Sequence, residues 1–323
     1  MRRAQRSLRH AWAERFPEES ELESIALYRV VDAGPRAGSR PQLVLRDDAH
    51  RRYLFKLAPV QQLAAEQLAF RVRRLGRRLH VPSARRTLDL PGSARGVGLV
   101  QPMLDIVGAL PKRPVDWSSV QREAMLAEHP WEWLLANLDA HIDQYVLVGE
   151  SALPINIDWD HALLDLATTS LTRFNRRSVT VMPVRNLLYA DYVAGRLQLD
   201  FYSMQVQAHR IAAIPFDEIA TLLERWAVEA SAGDSLRGRV VSAMRIRHAR
   251  IADDFDALID GLRHERYDAV GRTRPAWARL AARVQDQWQG FAVNVLHDRV
   301  VRPFLATYRR ALTVHARRTR DQG

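Results

Sequence analysis

The chain of 323 residues contains no cysteine. That excludes disulfides, thiol nucleophiles and cysteine-bound metal clusters, and it suits a reducing compartment, which we expect to be the cytoplasm. No run of about 18 apolar residues occurs, so no membrane span is expected. The basic start, Met1-Arg2-Arg3-Ala4-Gln5-Arg6, is not followed by a signal-peptide apolar core. Gly-x-Ser-x-Gly, His-Glu-x-x-His and Walker-type sequences are absent, which leaves those three chemistries without their signatures. Lysine is almost missing. Only Lys56 and Lys112 are present, and the other 46 basic residues are Arg. The net charge of +11 would suit phosphorylated ligands, nucleic acid or anionic surfaces, or solubility alone.

One scarcity is local. From Glu123 to Thr172 there is no Lys or Arg, where the chain average would supply about seven, and there are nine Asp or Glu. An acidic island of hard oxygen donors suits Mg²⁺. The alternative is an ordinary acidic patch.

The pattern of elements is segregated. Residues 1–20 read as an arm or helix. Three short strands follow, near 25–31, 42–46 and 53–57, separated by turn-rich segments, and they predict an antiparallel meander. A helix is expected over 61–78, with Gly76 at its end, and a strand over 98–103. Helices over 116–128 and 131–138 lead to a hairpin of 145–148 and 154–158. The remainder reads as helical. This is an α+β arrangement, with a boundary near Met103 to Pro114.

Within this order a few residues carry chemical interest. Lys56 sits inside an apolar strand, where an ammonium is costly without a partner. In a chain that otherwise uses Arg, it suggests a need for a compact point charge, such as phosphate binding. An edge strand with Lys facing water is the alternative. Glu66, ten residues on, could tether it. The densest polar cluster is Asn137-Leu138-Asp139-Ala140-His141-Ile142-Asp143-Gln144. It flanks one end of the hairpin, and Ile155-Asn156-Ile157-Asp158-Trp159-Asp160 closes the other. Two polar clusters on one hairpin can converge, which suits phosphoryl transfer. Turn acids that merely cap and solvate loops remain the alternative for any single Asp.

This set resembles the HipA-like and phosphatidylinositol-kinase-like branch of the protein kinase fold. In that branch the catalytic loop reads Asp-x-His-x-x-Asn, and Asp139-Ala140-His141-Ile142-Asp143-Gln144 matches it up to the last position. Ile157-Asp158-Trp159-Asp160 also looks like the metal segment of aminoglycoside-type phosphotransferases. The resemblance spans about residues 25–165. It implies a bilobal fold, with a small antiparallel β N-lobe over 1–103 and a mostly helical C-lobe over 104–323. It implies ATP and Mg²⁺ as cofactors, Asp139 as the catalytic Asp, His141 as the loop-organising His and Asp158 as the metal-binding Asp. Lys56 would hold the α and β phosphates with Glu66 as its tether. Gln101 and Met103 would lie in the hinge that meets adenine. Two positions depart from the pattern. Gln144 stands where an Asn metal ligand is expected, one methylene longer. The loop Gly34-Pro35-Arg36-Ala37-Gly38-Ser39, whose amides and Ser39 would cradle phosphate, lacks a full glycine-rich signature.

The implied activity is transfer of a phosphoryl group to a hydroxyl, first on a protein Ser or Thr. A small molecule or lipid as acceptor, or an inactive kinase fold serving as a binding module, uses the same frame. The Arg-rich C-terminus, with Arg309, Arg310, Arg317, Arg318 and Arg320, could meet an acidic partner or nucleic acid. A nucleic-acid-binding role for the whole chain lacks any docking motif.

Overall fold

The computed structural model describes residues 17–29, 42–88, 96–137, 140–160, 162–163 and 182–271. Asp139, Ser39 and the Arg-rich C-terminus lie outside them.

The described elements form an α+β structure with a small antiparallel sheet and a mostly helical remainder. Helix α1 (Glu19–Ser24) precedes strands β1 (Tyr28–Arg29), β2 (Gln42–Arg46) and β3 (Arg52–Leu57). Helix α2 (Val60–Leu75) is followed by β4 (Ala84–Leu88) and β5 (Gly96–Pro102). The five strands pair in the order β1-β2-β3-β5-β4, all antiparallel. Alternation sorts β3 into two faces. Tyr53 and Phe55 join Leu22, Leu45, Ala84 and Val100 in a compact core beneath α1. Leu54 and Lys56 take the other face. Gly98 is fixed by crowding: a Cβ there would sit 2.5 Å from the Lys56 carbonyl oxygen and 2.6 Å from the Phe55 ring.

Helix α2 is buried continuously from Leu63 to Arg73, so its polar residues there, Glu66, Gln67, Arg71 and Arg73, need partners within the protein. Ala64, Ala65, Leu68, Ala69 and Val72 enter the larger core shared with the helical body. Its C-terminal Gly76 leaves room for Trp131, whose ring would lie 2.2 Å from any Cβ at that position.

A second sheet joins β6 (Ile106–Ala109), β7 (Tyr145–Val148) and β8 (Leu153–Asn156). The expected 145–158 hairpin is present, with Tyr145 opposite Asn156. Between β6 and β7 one continuous helix, α3 (Ser119–Leu134), replaces the two expected over 116–128 and 131–138. Ser118 and Gln121 start it with a capping box. Pro130 removes one backbone bond without ending the helix, because fully buried Trp131 and Trp133 anchor the next turn. The stop comes instead at Ala136, in the left-handed region at φ 51°. There the Asn137 amide donates to the Glu132 carbonyl at 2.9 Å, a Schellman-type closure. Helices α4 (Pro183–Val193), α5 (Tyr202–Ala212), α6 (Phe216–Glu229) and α7 (Asp234–Gly271) complete the body. Among the described residues no helix is long and apolar enough to cross a membrane.

Candidate functional site

Lys56 lies in the middle of the sheet, not at an edge. It pairs with Gln42 of β2 on one side and Leu99 of β5 on the other. Its side chain is also largely covered, so its ammonium needs protein partners. It donates to Glu66 Oε1 at 2.8 Å and to the Ile157 carbonyl at 2.7 Å. Both side chains are largely buried, at 13% and 6% exposure. An ammonium has three donors, and these bonds use two.

Register explains the third member of the group. Leu54 faces Gln101 across β3 and β5, so Gln101 lies on the same face as Lys56 and diagonal to it. Its amide nitrogen donates to Glu66 Oε1 at 2.6 Å. The Gln101 side chain is thus committed to the ion pair rather than turned to an open hinge. Met103, past the end of β5, spends its amide on the Arg52 carbonyl at 2.9 Å.

The hairpin delivers the other half of the site. Ile157 extends the β7–β8 pairing by one bond, its amide donating to the Gln144 carbonyl at 3.0 Å. Ile157 is therefore the hinge between the two polar clusters: its amide holds Gln144 and its carbonyl receives Lys56. Asp158 follows directly. Asn156 Oδ1 accepts from the Asp158 amide at 2.9 Å, a local Asx bond that fixes the backbone there. The Asn137 side-chain amide approaches the Asp158 carbonyl at 3.4 Å. His141 is half-buried; its ring comes only within 3.9 Å of the Asp143 carboxylate, while its carbonyl accepts from the Gln144 amide at 3.1 Å. The structure thus brings Lys56, Glu66, Gln101, Gln144 and the Asp158 backbone into one connected network.

Beside this network lies a cavity lined by Glu66, Phe70, Arg73, His80, Val81, Ser83, Gln101, Asn156, Ile157 and Trp159. Trp159 stacks on the Arg73 guanidinium, 4.4 Å from ring centroid to Cζ. Arg73 also bonds Glu128. Burial lowers its pKa to about 10, with Glu128 pulling back, so it stays a cation at neutral pH. Burial and then the charge of Arg73 push His80 down to about 4. Four lining residues keep buried polar atoms without a partner: Arg73 Nε, Ser83 Oγ, Asn156 Nδ2 and Trp159 Nε1. Gln144 Oε1 is likewise buried and without a partner. Buried polar atoms are normally satisfied, so this side of the network is open to ordered water or ligand.

Sequence reasoning did not find Arg73, Asn156 or the linking role of Ile157. Asn two residues before an Asp is a recognisable Asx signal, and Asn156 could have been found that way. Nothing in the sequence marks a backbone carbonyl as the partner of Lys56. Among the described residues no cluster of three or more His, Asp or Glu forms a ready metal cage.

No protein-family model matches the chain, and no curated sequence matches it. Solved structures similar to it include the Helicobacter pylori proinflammatory kinase CtkA, at 12% identity and TM-score 0.46, covering 74% of this chain and 98% of that one. HipA, in the Shewanella oneidensis HipA–HipB–operator DNA complex, aligns at 13% identity and TM-score 0.41, covering 80% and 72%. An aminoglycoside phosphotransferase from Alicyclobacillus acidocaldarius aligns at 13% identity and TM-score 0.30, covering 77% and 95%. The first of these neighbours is a kinase, the second part of a toxin–antitoxin system and the third a phosphotransferase.

Proposed function

We propose that the chain is an ATP- and Mg²⁺-dependent phosphotransferase of HipA-like type, acting on a hydroxyl group and first on a protein Ser or Thr. The observation that supports it best is the Lys56–Glu66–Ile157 junction. A lone strand ammonium is tethered by a buried helix carboxylate and held one residue from Asp158. A strand lysine paired with a helix glutamate is how kinases hold the α and β phosphates. Gln101 then supports Glu66 and contacts the nucleotide only indirectly, with Met103 at the start of the adenine-facing segment. Ser39 is assigned to the phosphates. We retain the division into lobes at 103 and 104, and a reducing cytoplasm, as parts of the same proposal.

The donors available for metal are oxygens, namely the Asp158 carboxylate and the unpartnered Gln144 Oε1, and that set fits Mg²⁺. When bound, Mg²⁺ would neutralise charge on the transferring phosphates. Asp139 would orient the acceptor hydroxyl, with His141 ordering the loop. Lys56 contributes charge and position, so the rate would come from electrostatics and alignment rather than from a covalent intermediate. Gln144 in place of Asn favours one second reading, an inactive nucleotide-binding module.

The test is transfer from γ-labelled ATP by the full chain, with Asp139→Asn and Asp158→Asn beside it. Transfer by the parent and a loss of about 100-fold or more in both variants is expected. Thermal stabilisation by ATP should require Mg²⁺. Equal transfer by all three proteins would remove the proposal. Nucleotide binding without turnover would leave the binding-module reading.

A further inference from the structure

Helix α2 carries Glu66 on one side and an unusual polar stripe on another. Gln67, Arg71 and Arg74 recur at i, i+4 and i+7, so they share a face. Arg71 is five residues past Glu66, about 140° around the helix and about 7.5 Å along it. The stripe is gripped by two elements far apart in sequence. From α1, Glu19 Oε1 accepts from Arg71 Nη2 at 2.6 Å and from Gln67 Nε2 at 2.9 Å, and Glu18, capping the start of α1, pairs with Arg74 at 2.8 Å. From the end of α6, Glu229 receives Arg71 Nη1 on both oxygens, at 3.0 and 2.8 Å. Glu229 is also held in turn. Arg225 Nε donates to its carboxylate at 2.9 Å, and Arg85 of β4 donates to its backbone carbonyl at 3.0 Å, capping the helix end.

Arg71 is only 5% exposed, and its two carboxylates are at 15% and 19%. Burial opposes its charge, but bonds from Glu19 and Glu229 raise its pKa overall. A cation desolvated between two carboxylates has strict geometry, because its planar fork must satisfy both. Screening by salt is weak at this depth.

We infer that Arg71 is a positioning residue: clamped between Glu19 and Glu229, it keeps α2 docked on α6 so that Glu66 stays on Lys56 without an activating partner or modification. The helical body would then set the state of the ion pair through Glu229, 158 residues away in sequence from Arg71. The inference rests on the phosphotransferase reading only for its catalytic consequence. The docking itself is independent of it.

The experiment compares the full chain with Arg71→Met, which keeps the apolar stem, and with Glu229→Gln. Amide hydrogen exchange without nucleotide should quicken about tenfold across residues 60–75 in both variants, with β2 and β3 little changed. The kcat/KM for ATP should fall about tenfold, mainly through KM. In both variants the fall in kcat/KM should vanish in a Glu66→Gln background, because Arg71 acts through Glu66. Unchanged exchange in α2, or an equal fall in both backgrounds, overturns the inference. Should Arg71→Met fail to fold, Glu229→Gln carries the same measurements. A parent chain that transfers no phosphate removes the phosphotransferase reading, and hydrogen exchange alone then decides the clamp.

Discussion

Two buried ion pairs in this molecule are built on opposite plans. Glu132 and Arg185, in the helical body, are closed on themselves. Arg185 Nε and Nη2 reach Glu132 Oε2 at 2.8 and 2.7 Å, Nη1 donates to the Met125 carbonyl at 2.6 Å, and the Tyr145 hydroxyl donates to the remaining carboxylate oxygen. Burial pushes the Glu132 carboxyl up, against the pull of Arg185. Lys56 and Glu66 are open by contrast. Lys56 keeps a donor beyond its two bonds, and the cavity alongside holds four unpartnered polar atoms. A pair that serves structure satisfies every atom, whereas a pair that serves a ligand leaves capacity facing the place where the ligand arrives.

The largest effect that could break this contrast lies in the helical body. Arg185→Met would strand Glu132 in a site with no exposure. We expect a stability loss of about 3–5 kcal/mol in denaturant unfolding. A loss below about 1 kcal/mol would mean that the closed pair is not structural, and the contrast would collapse.

Lys56→Met should invert the pattern. Glu66 keeps Gln101 as a donor, so the stability cost should be about 1–2 kcal/mol. ATP-dependent transfer should fall about 100-fold or more, if the ammonium is the phosphate ligand. An intact turnover with a large stability loss would place Lys56 in the same class as Arg185.

How much of this was legible beforehand depends on the range of the interaction involved. The meander, helix α2 and the β7–β8 hairpin were written in local periodicity and turn residues; they appear near the expected positions, with the first strand described only over Tyr28–Arg29 rather than 25–31. Lys56 was marked by rarity and Glu66 by its distance along the chain, and the structure joins them at 2.8 Å. The split expected at Pro130 was wrong because propensity is local while Trp131 and Trp133 are held by tertiary packing. Gln101 was expected in the hinge. Its turn toward Glu66 follows from strand register, which single-sequence patterns set only within a residue or two. The Arg71 clamp could not be read at all, since Glu19, Arg71 and Glu229 are ordinary charges until the chain folds.

The smallest effect concerns the open side of the contrast and tests whether Arg73 is felt there. His80 lines the cavity beside Arg73, its Nδ1 2.6 Å from the Arg78 carbonyl and its ring edge-on to Phe70. Unfolded, its imidazole takes a proton near the ordinary 6.5; folded, burial and the Arg73 charge delay this to about 4. Between those values the unfolded chain binds the extra proton, so acid favours unfolding. The contribution is complete above pH 6.5 and is lost as pH falls toward 4. Because the ring is only half-buried, the loss from pH 7 to pH 5 should be about 1–2 kcal/mol. His129, fully buried in the helical body and also held well below its usual value, adds a slope of the same sign. Only the difference between the parent chain and His80→Gln therefore isolates the cavity. Denaturant titrations at pH 7 and 5 should show the variant losing less stability than the parent. Equal losses would mean that the imidazole protonates freely in the folded state, and that the cavity is not the cation-walled, partly desolvated space its lining implies.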